Sequence, residues 1–246
     1  VSPEGAAWEY GTDLVYLREV ISTWLTQFNW REQEALLNQY THVLAPREGR
    51  WIHAALAKAV KSTRPPVLFA HGWPGSFVEF LEVAERLAHP EKFGGVPEEG
   101  YDVIMVSLPG CGLSSAPSTP MGPREIAKDV IALCQSLGIK KFFMHGSDWG
   151  AAVASWLALD APETLHGIHI TSTIMQPTVN DESQLSTDEK NYLAYRSSRG
   201  PWDSGYRVMQ GTKPLTLSYA LTDSPAGLAA WLLEKFQYWS ESRHTE

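Results

Sequence analysis

The chain has 246 residues, 43% of them hydrophobic and 20% charged, with a formal net charge of −8. That length accommodates one large α/β domain, the apolar content builds a packed core rather than a disordered chain, and the acidic balance argues against a nucleic-acid surface. Two cysteines, Cys111 and Cys134, make no disulfide framework, which fits a reducing compartment.

Residues 12–40 read as two helices. TDLVYLREVISTWL places Leu14, Leu17, Val20, Ile21 and Trp24 at helical spacing, with Thr12 as the expected N-cap. NWREQEALLNQY follows, with Asn29 in the same role. RWIHAALAKAV (50–60) reads as strand in preference to helix. PPVLFAHGWPGS (65–76) predicts a buried strand ending in a Gly/Pro turn. The helix FVEFLEVAERLA and a second buried strand, YDVIMVSLPG (101–110), come next. GPREIAKDVIALCQSLGI predicts a helix with Pro123 in its first turn and Gly138 at its close. KFFMH is a strand, AAVASWLALDAP a helix, and LHGIHITST (165–173) a further strand. The alternation predicts a mostly parallel sheet with helices on both faces. After 176 the chain turns polar and then helical, in TDEKNYLAYRSS and SPAGLAAWLLEKFQYWS, which reads as an inserted cap. The expected organisation is an N-terminal helical extension at 1–48, an α/β core at 49–175 and a cap or lid at 176–246.

The chemistry concentrates in FFMHGSDWGA (142–151). Gly146 and Gly150 flank Ser147-Asp148-Trp149, the small-x-nucleophile-x-small pattern of a sharp strand-to-helix turn, with a carboxylate at its apex. Alone, an Asp here also reads as a plain N-cap. The second motif, HGWPGS (71–76), again follows a buried strand. Two such turns in this order supply an oxyanion hole, here the backbone N–H groups of Trp73 and Trp149. The same two residues are expected to bind the substrate. Ten tryptophans are enough to line an apolar pocket, although core packing accounts for most of them.

On these motifs, together with SLPGCGLSS, the N-terminal WEYGTDLVYLREVISTWLTQFNWREQEALLNQY and the later GYRVMQGTKPLTLSYALTDSPAGLAAWLLEKFQYWS, the chain resembles the microsomal-type epoxide hydrolases of the α/β-hydrolase superfamily. The resemblance implies an α/β-hydrolase fold and cofactor-free opening of an epoxide to a vicinal diol. Asp148 would be the nucleophile and Tyr206 one of two tyrosines that protonate the ring oxygen. A carboxylate suits this reaction: it attacks saturated carbon directly and needs no base to do so. The ester it forms must then be hydrolysed with a His base and an acid. The family places these, the second tyrosine and the last core strands after the cap, and none is found before the chain ends at WSESRHTE.

The histidines already present do not fill that role on sequence grounds. His71 and His145 sit at strand ends and read as structural. His53, His166 and His169 fall in strands, and His42 and His89 in loops or helix ends. His244 is the one with an argument from chain order. Alkylation without turnover is therefore the expectation, from a chain that is part of a longer protein. Two alternatives stay open: a haloalkane dehalogenase using the same Asp, and a non-catalytic relative acting as a binding partner. No cofactor or metal is expected, since phosphate loops, CxxC pairs and HExxH are absent. The expected partner is a small hydrophobic epoxide, with no nucleic acid and no membrane segment in this chain. A homodimer, or association with the missing C-terminal part, is possible. The start VSPEGAAWEYG does not resemble a signal peptide. The expected compartment is the cytoplasm, or the endoplasmic-reticulum membrane if an anchor is encoded upstream.

Overall fold

The computed structural model describes residues 7–173, 182–199 and 204–240. In chain order the elements are α1 (Leu14–Thr26), α2 (Trp30–Leu37), β1 (Thr41–Arg47), β2 (Arg50–Ala57), β3 (Val67–Ala70), α3 (Leu81–Ala88), β4 (Val103–Val106) and α4 (Pro123–Ser136). Then come β5 (Phe142–Asp148), α5 (Trp149–Asp160), β6 (Leu165–Thr173), α6 (Thr187–Arg199), α7 (Gly205–Thr212), α8 (Pro214–Asp223) and α9 (Pro225–Trp239). The chain divides into two compact units, Trp30–Gln176 and the combination of Val1–Asn29 with Pro177–Glu246.

The larger unit is built on a six-stranded sheet of order β1-β2-β4-β3-β5-β6. β4, β3, β5 and β6 run parallel, and β1 and β2 pair antiparallel at one side, so the sheet is mixed. β3 and β4 are short, continuous apolar runs because both their faces are covered. Leu68, Ala70, Ile104, Val106, Phe142 and Met144 pack on one side with Ile126, Val130, Leu133, Val153 and Leu157 of α4 and α5. Phe69, Val103 and Met105 pack on the other with Phe77, Phe80, Ala84 and Ala88. This is strand alternation with a helical layer on each side. α5 is apolar nearly all round, as a helix pressed into a core must be. α4 opens with Pro123, while the Glu125 carboxylate accepts from the Gly122 N–H at 3.1 Å, and Gly138 follows its end at φ 73°.

β1 was not expected from the sequence, which placed His42 in a loop or helix end. THVLAPR contains Pro46, but β1 is the outermost strand, where a residue without an N–H is tolerated. The β1–β2 hairpin closes through Glu48 and Gly49, both at positive φ (49° and 78°), the two-residue turn whose twist matches the strands. α1 is capped by Asp13 rather than Thr12: the Asp13 carboxylate accepts from the Tyr16 N–H at 2.8 Å. Thr12 instead donates to the Ala230 carbonyl at 2.5 Å, tying the start of α1 to α9 within the smaller unit. α7 and α8, not singled out by the sequence pattern, are separated by Lys213, and Pro214 opens α8. His244 lies outside the described residues.

Two buried polar groups organise the larger unit. Asp129 of α4 is 2% exposed and accepts from Arg47 Nε at 2.9 Å and Arg50 Nη2 at 2.6 Å, which ties α4 to the hairpin. His53, fully buried, lies between His42 and Ser107, each 2.8 Å away. The far nitrogen of His42 is 3.0 Å from the Leu37 carbonyl, which can only accept. His42 therefore carries its proton on Nε2 and accepts at Nδ1 from His53 Nε2–H, which leaves His53 Nδ1 to accept from the Ser107 hydroxyl. This arrangement holds while each ring carries a single proton. Burial, and then the charge that His42 acquires on protonation, hold the His53 pKa down from 6.5 to about 4. Because the folded pKa lies below the unfolded one, the unfolded state takes up more protons between those values. The stability contribution is complete above the ordinary histidine pKa and is lost as the pH falls towards 4. Denaturant titrations should show about 2 kcal/mol less stability at about pH 5 than at about pH 7.5, and most of that difference should vanish in His53→Gln. An equal loss in the variant would assign the pH dependence elsewhere.

Candidate active site

The carboxyl ends of the parallel strands place the two glycine-rich turns side by side. β5 runs into α5 through Asp148, whose φ of 53° and ψ of −113° are unusual for a residue with a side chain. The turn can be this tight because its neighbours have none. A methyl group on Gly150 would lie 1.9 Å from the Ala70 carbonyl oxygen, and one on Gly146 would lie 2.1 Å from that of Gly150. The Gly150 N–H donates to the His71 carbonyl at 3.1 Å, joining the two turns through their backbones.

Asp148 does not behave as an N-cap: its side chain makes no capping hydrogen bond to α5. Its Oδ1 instead accepts from the Trp73 N–H at 3.1 Å, across 75 positions of sequence. A Cβ on Gly72 would fall 2.5 Å from the Asp148 Cβ, so only glycine allows that approach. Trp149 is the first residue of α5, and its N–H is one of the four that no carbonyl of the helix accepts. Its indole is exposed. The structure thus brings Trp73, Asp148 and Trp149 together. Tyr206 belongs to the smaller unit, on α7, where its ring meets that of Trp239 at 5.2 Å.

The histidines nearest these motifs are occupied. His71 is fully buried, donates from Nδ1 to the Gly72 carbonyl at 2.9 Å and accepts at Nε2 from the Leu108 N–H at 3.1 Å. Both ring nitrogens hold the turn in place, and burial lowers its pKa. His145 and His169 sit opposite one another on β5 and β6, with their Nδ1 atoms 2.8 Å apart. Among the described residues no histidine hydrogen-bonds to the Asp148 carboxylate.

One charged neighbour escaped the sequence reading. Glu79 follows the HGWPGS turn, and its pKa is raised by burial first and by the charge of Asp148 second. The residue is largely exposed, yet its carboxylate lies against the glycine turn: a Cβ on Gly75 would lie 2.1 Å from Oε2. An acidic residue three positions beyond a Ser that ends a glycine turn was the available signal. Among the described residues no three His, Cys, Asp or Glu side chains converge as a metal site requires, and no helix is long and apolar enough to cross a membrane.

The alpha/beta hydrolase fold family model matches residues 65–203, and the model of the epoxide hydrolase N terminus matches residues 1–80. Juvenile hormone epoxide hydrolase 1 of Ctenocephalides felis is 36% identical over 259 residues, 96% of this chain and 54% of that protein. Epoxide hydrolase 1 of Oryctolagus cuniculus is 33% identical over 263 residues, 97% of this chain and 57% of that protein. The crystal structure of juvenile hormone epoxide hydrolase from the silkworm Bombyx mori superimposes with a TM-score of 0.83 at 29% identity, covering 98% of this chain and 60% of that one. The chain spans about half the length of the curated relatives it matches.

Proposed function

Since the chain belongs to the α/β-hydrolase family and is similar to epoxide hydrolases over nearly all of its length, we propose that it opens a small hydrophobic epoxide through an ester on Asp148. One observation carries this reading: the elbow carboxylate turns away from its own helix and towards the N–H of Trp73. An Asp Oδ attacks a ring carbon from the side opposite the C–O bond. That bond breaks, and its electron pair stays on oxygen, which takes the phenol proton of Tyr206. Solvent then reprotonates the phenolate. The N–H groups of Trp73 and Trp149 bind the carbonyl oxygen of the ester and the charge that develops there on hydrolysis. The haloalkane and non-catalytic alternatives are not favoured, because the similar proteins are epoxide hydrolases.

Ester hydrolysis needs a base, and we place it on none of His71, His145, His169, His42 and His53, since all five are held in hydrogen bonds of their own. Intact-mass measurement after mixing with an aryl epoxide such as styrene oxide tests the proposal. A single adduct of one epoxide mass, mapping to Asp148, is expected. Neither adduct nor diol from folded protein would overturn it.

A further inference from the structure

Lys235 is the buried cation of α9, with 8% of its surface exposed. A lysine that only covered apolar surface would carry its ammonium out to water. This one ion-pairs with the Glu234 carboxylate and has no other acceptor among the described residues. Its Nζ lies 5.1 Å from the ring centroid of Trp231 and 5.1 Å from that of Tyr206, within the range of cation–π attraction. Trp231, Lys235 and Trp239 follow one another at four-residue steps along α9, so one face of the helix offers indole, ammonium and indole in turn. Tyr206 of α7 rests on that face, over the ammonium and edge-on to Trp239.

We infer that Lys235 is a positioning residue for Tyr206, fixing the phenol ring and favouring the phenolate left when the ring gives up its proton. The inference rests on the reading of Tyr206 as the acid in epoxide opening. Glu234 supplies the carboxylate that partners the buried amine. A neutral phenol interacts with that charge only through its ring quadrupole, whereas a phenolate interacts as a full negative charge. The ammonium therefore stabilises the state after proton transfer more than the state before it, as an acid catalyst's neighbour must.

Two readouts separate this role from packing. The first is the rate of adduct formation with styrene oxide, followed by intact mass. The second is the ionisation midpoint of Tyr206, read as the tyrosinate absorbance lost in Tyr206→Phe. Lys235→Met, with Lys235→Gln as a second neutral variant, should slow adduct formation roughly tenfold and raise the Tyr206 midpoint by about one pH unit. Lys235→Arg should restore both. A normal rate in Tyr206→Phe would remove the reading of Tyr206 as the acid. A slow Tyr206→Phe beside a normal Lys235→Met would overturn the role of Lys235 alone. Slower reaction with an unmoved midpoint, or loss of folding in both neutral variants, would make Lys235 a packing residue and overturn it as well.

Discussion

Asp148→Asn is expected to eliminate the epoxide adduct, lowering its rate of formation by at least roughly four orders of magnitude. The amide oxygen carries no charge to displace the ring oxygen, yet little else changes. Asparagine tolerates positive φ as well as aspartate does, so the backbone at φ 53° should hold. Its side-chain carbonyl can still accept the Trp73 N–H that now lies 3.1 Å from Oδ1. Thermal melts of the variant and the parent should therefore nearly coincide while the adduct disappears. An adduct that forms in Asp148→Asn at the parental rate would place the nucleophile on another residue.

The second large effect concerns stability. Asp129→Ala should destabilise the larger unit by about 4 kcal/mol, because it leaves two guanidinium groups facing a site built for a carboxylate. Arg47 can swing out to water, since 30% of its side chain is exposed, but Arg50 is only 12% exposed. Arg50 Nη1 is already buried without a hydrogen-bond partner among the described residues, so the loss of Asp129 strands a group that is poorly satisfied to begin with. Replacing Arg50 by Met as well should recover part of the loss, since an apolar side chain needs no partner there. Urea titrations of the single and double variants measure both numbers. A double variant less stable than Asp129→Ala would refute the account.

Much of the sheet was legible because β3, β4 and β5 are short apolar runs ending in glycine-rich turns, and the helices between them carry clear stops and starts. β1 was not, since Pro46 and three polar residues hide its alternation, and a strand at the edge needs only one apolar face. The N-cap of α1 slipped by one position because Thr12 and Asp13 are both good caps, and only tertiary structure shows that Thr12 is engaged by Ala230. At the site, the elbow and the HGWPGS turn were readable as motifs. What sequence could not show is that the Asp148 carboxylate ignores its own helix, because that depends on a backbone N–H 75 residues away. Lys235 was hidden differently. A lysine in a helix normally reads as surface, and the aromatic residues four positions to either side were the one sign of a buried cation.

The tie between Thr12 and Ala230 spans 218 positions and holds together a unit whose two pieces come before and after the sheet's segment in the sequence. During synthesis the sheet's segment, Trp30–Gln176, is available to fold long before α9 emerges. α1, which precedes the sheet's segment, has no buried residue of its own and meets α9 only after that segment has been made. Contacts this distant in sequence form slowly, because the chain between them must be ordered first. The amphipathic α1 thus stays open to chaperones and to mispairing for as long as α9 is unmade, and a nick or stall between the two leaves it without that partner.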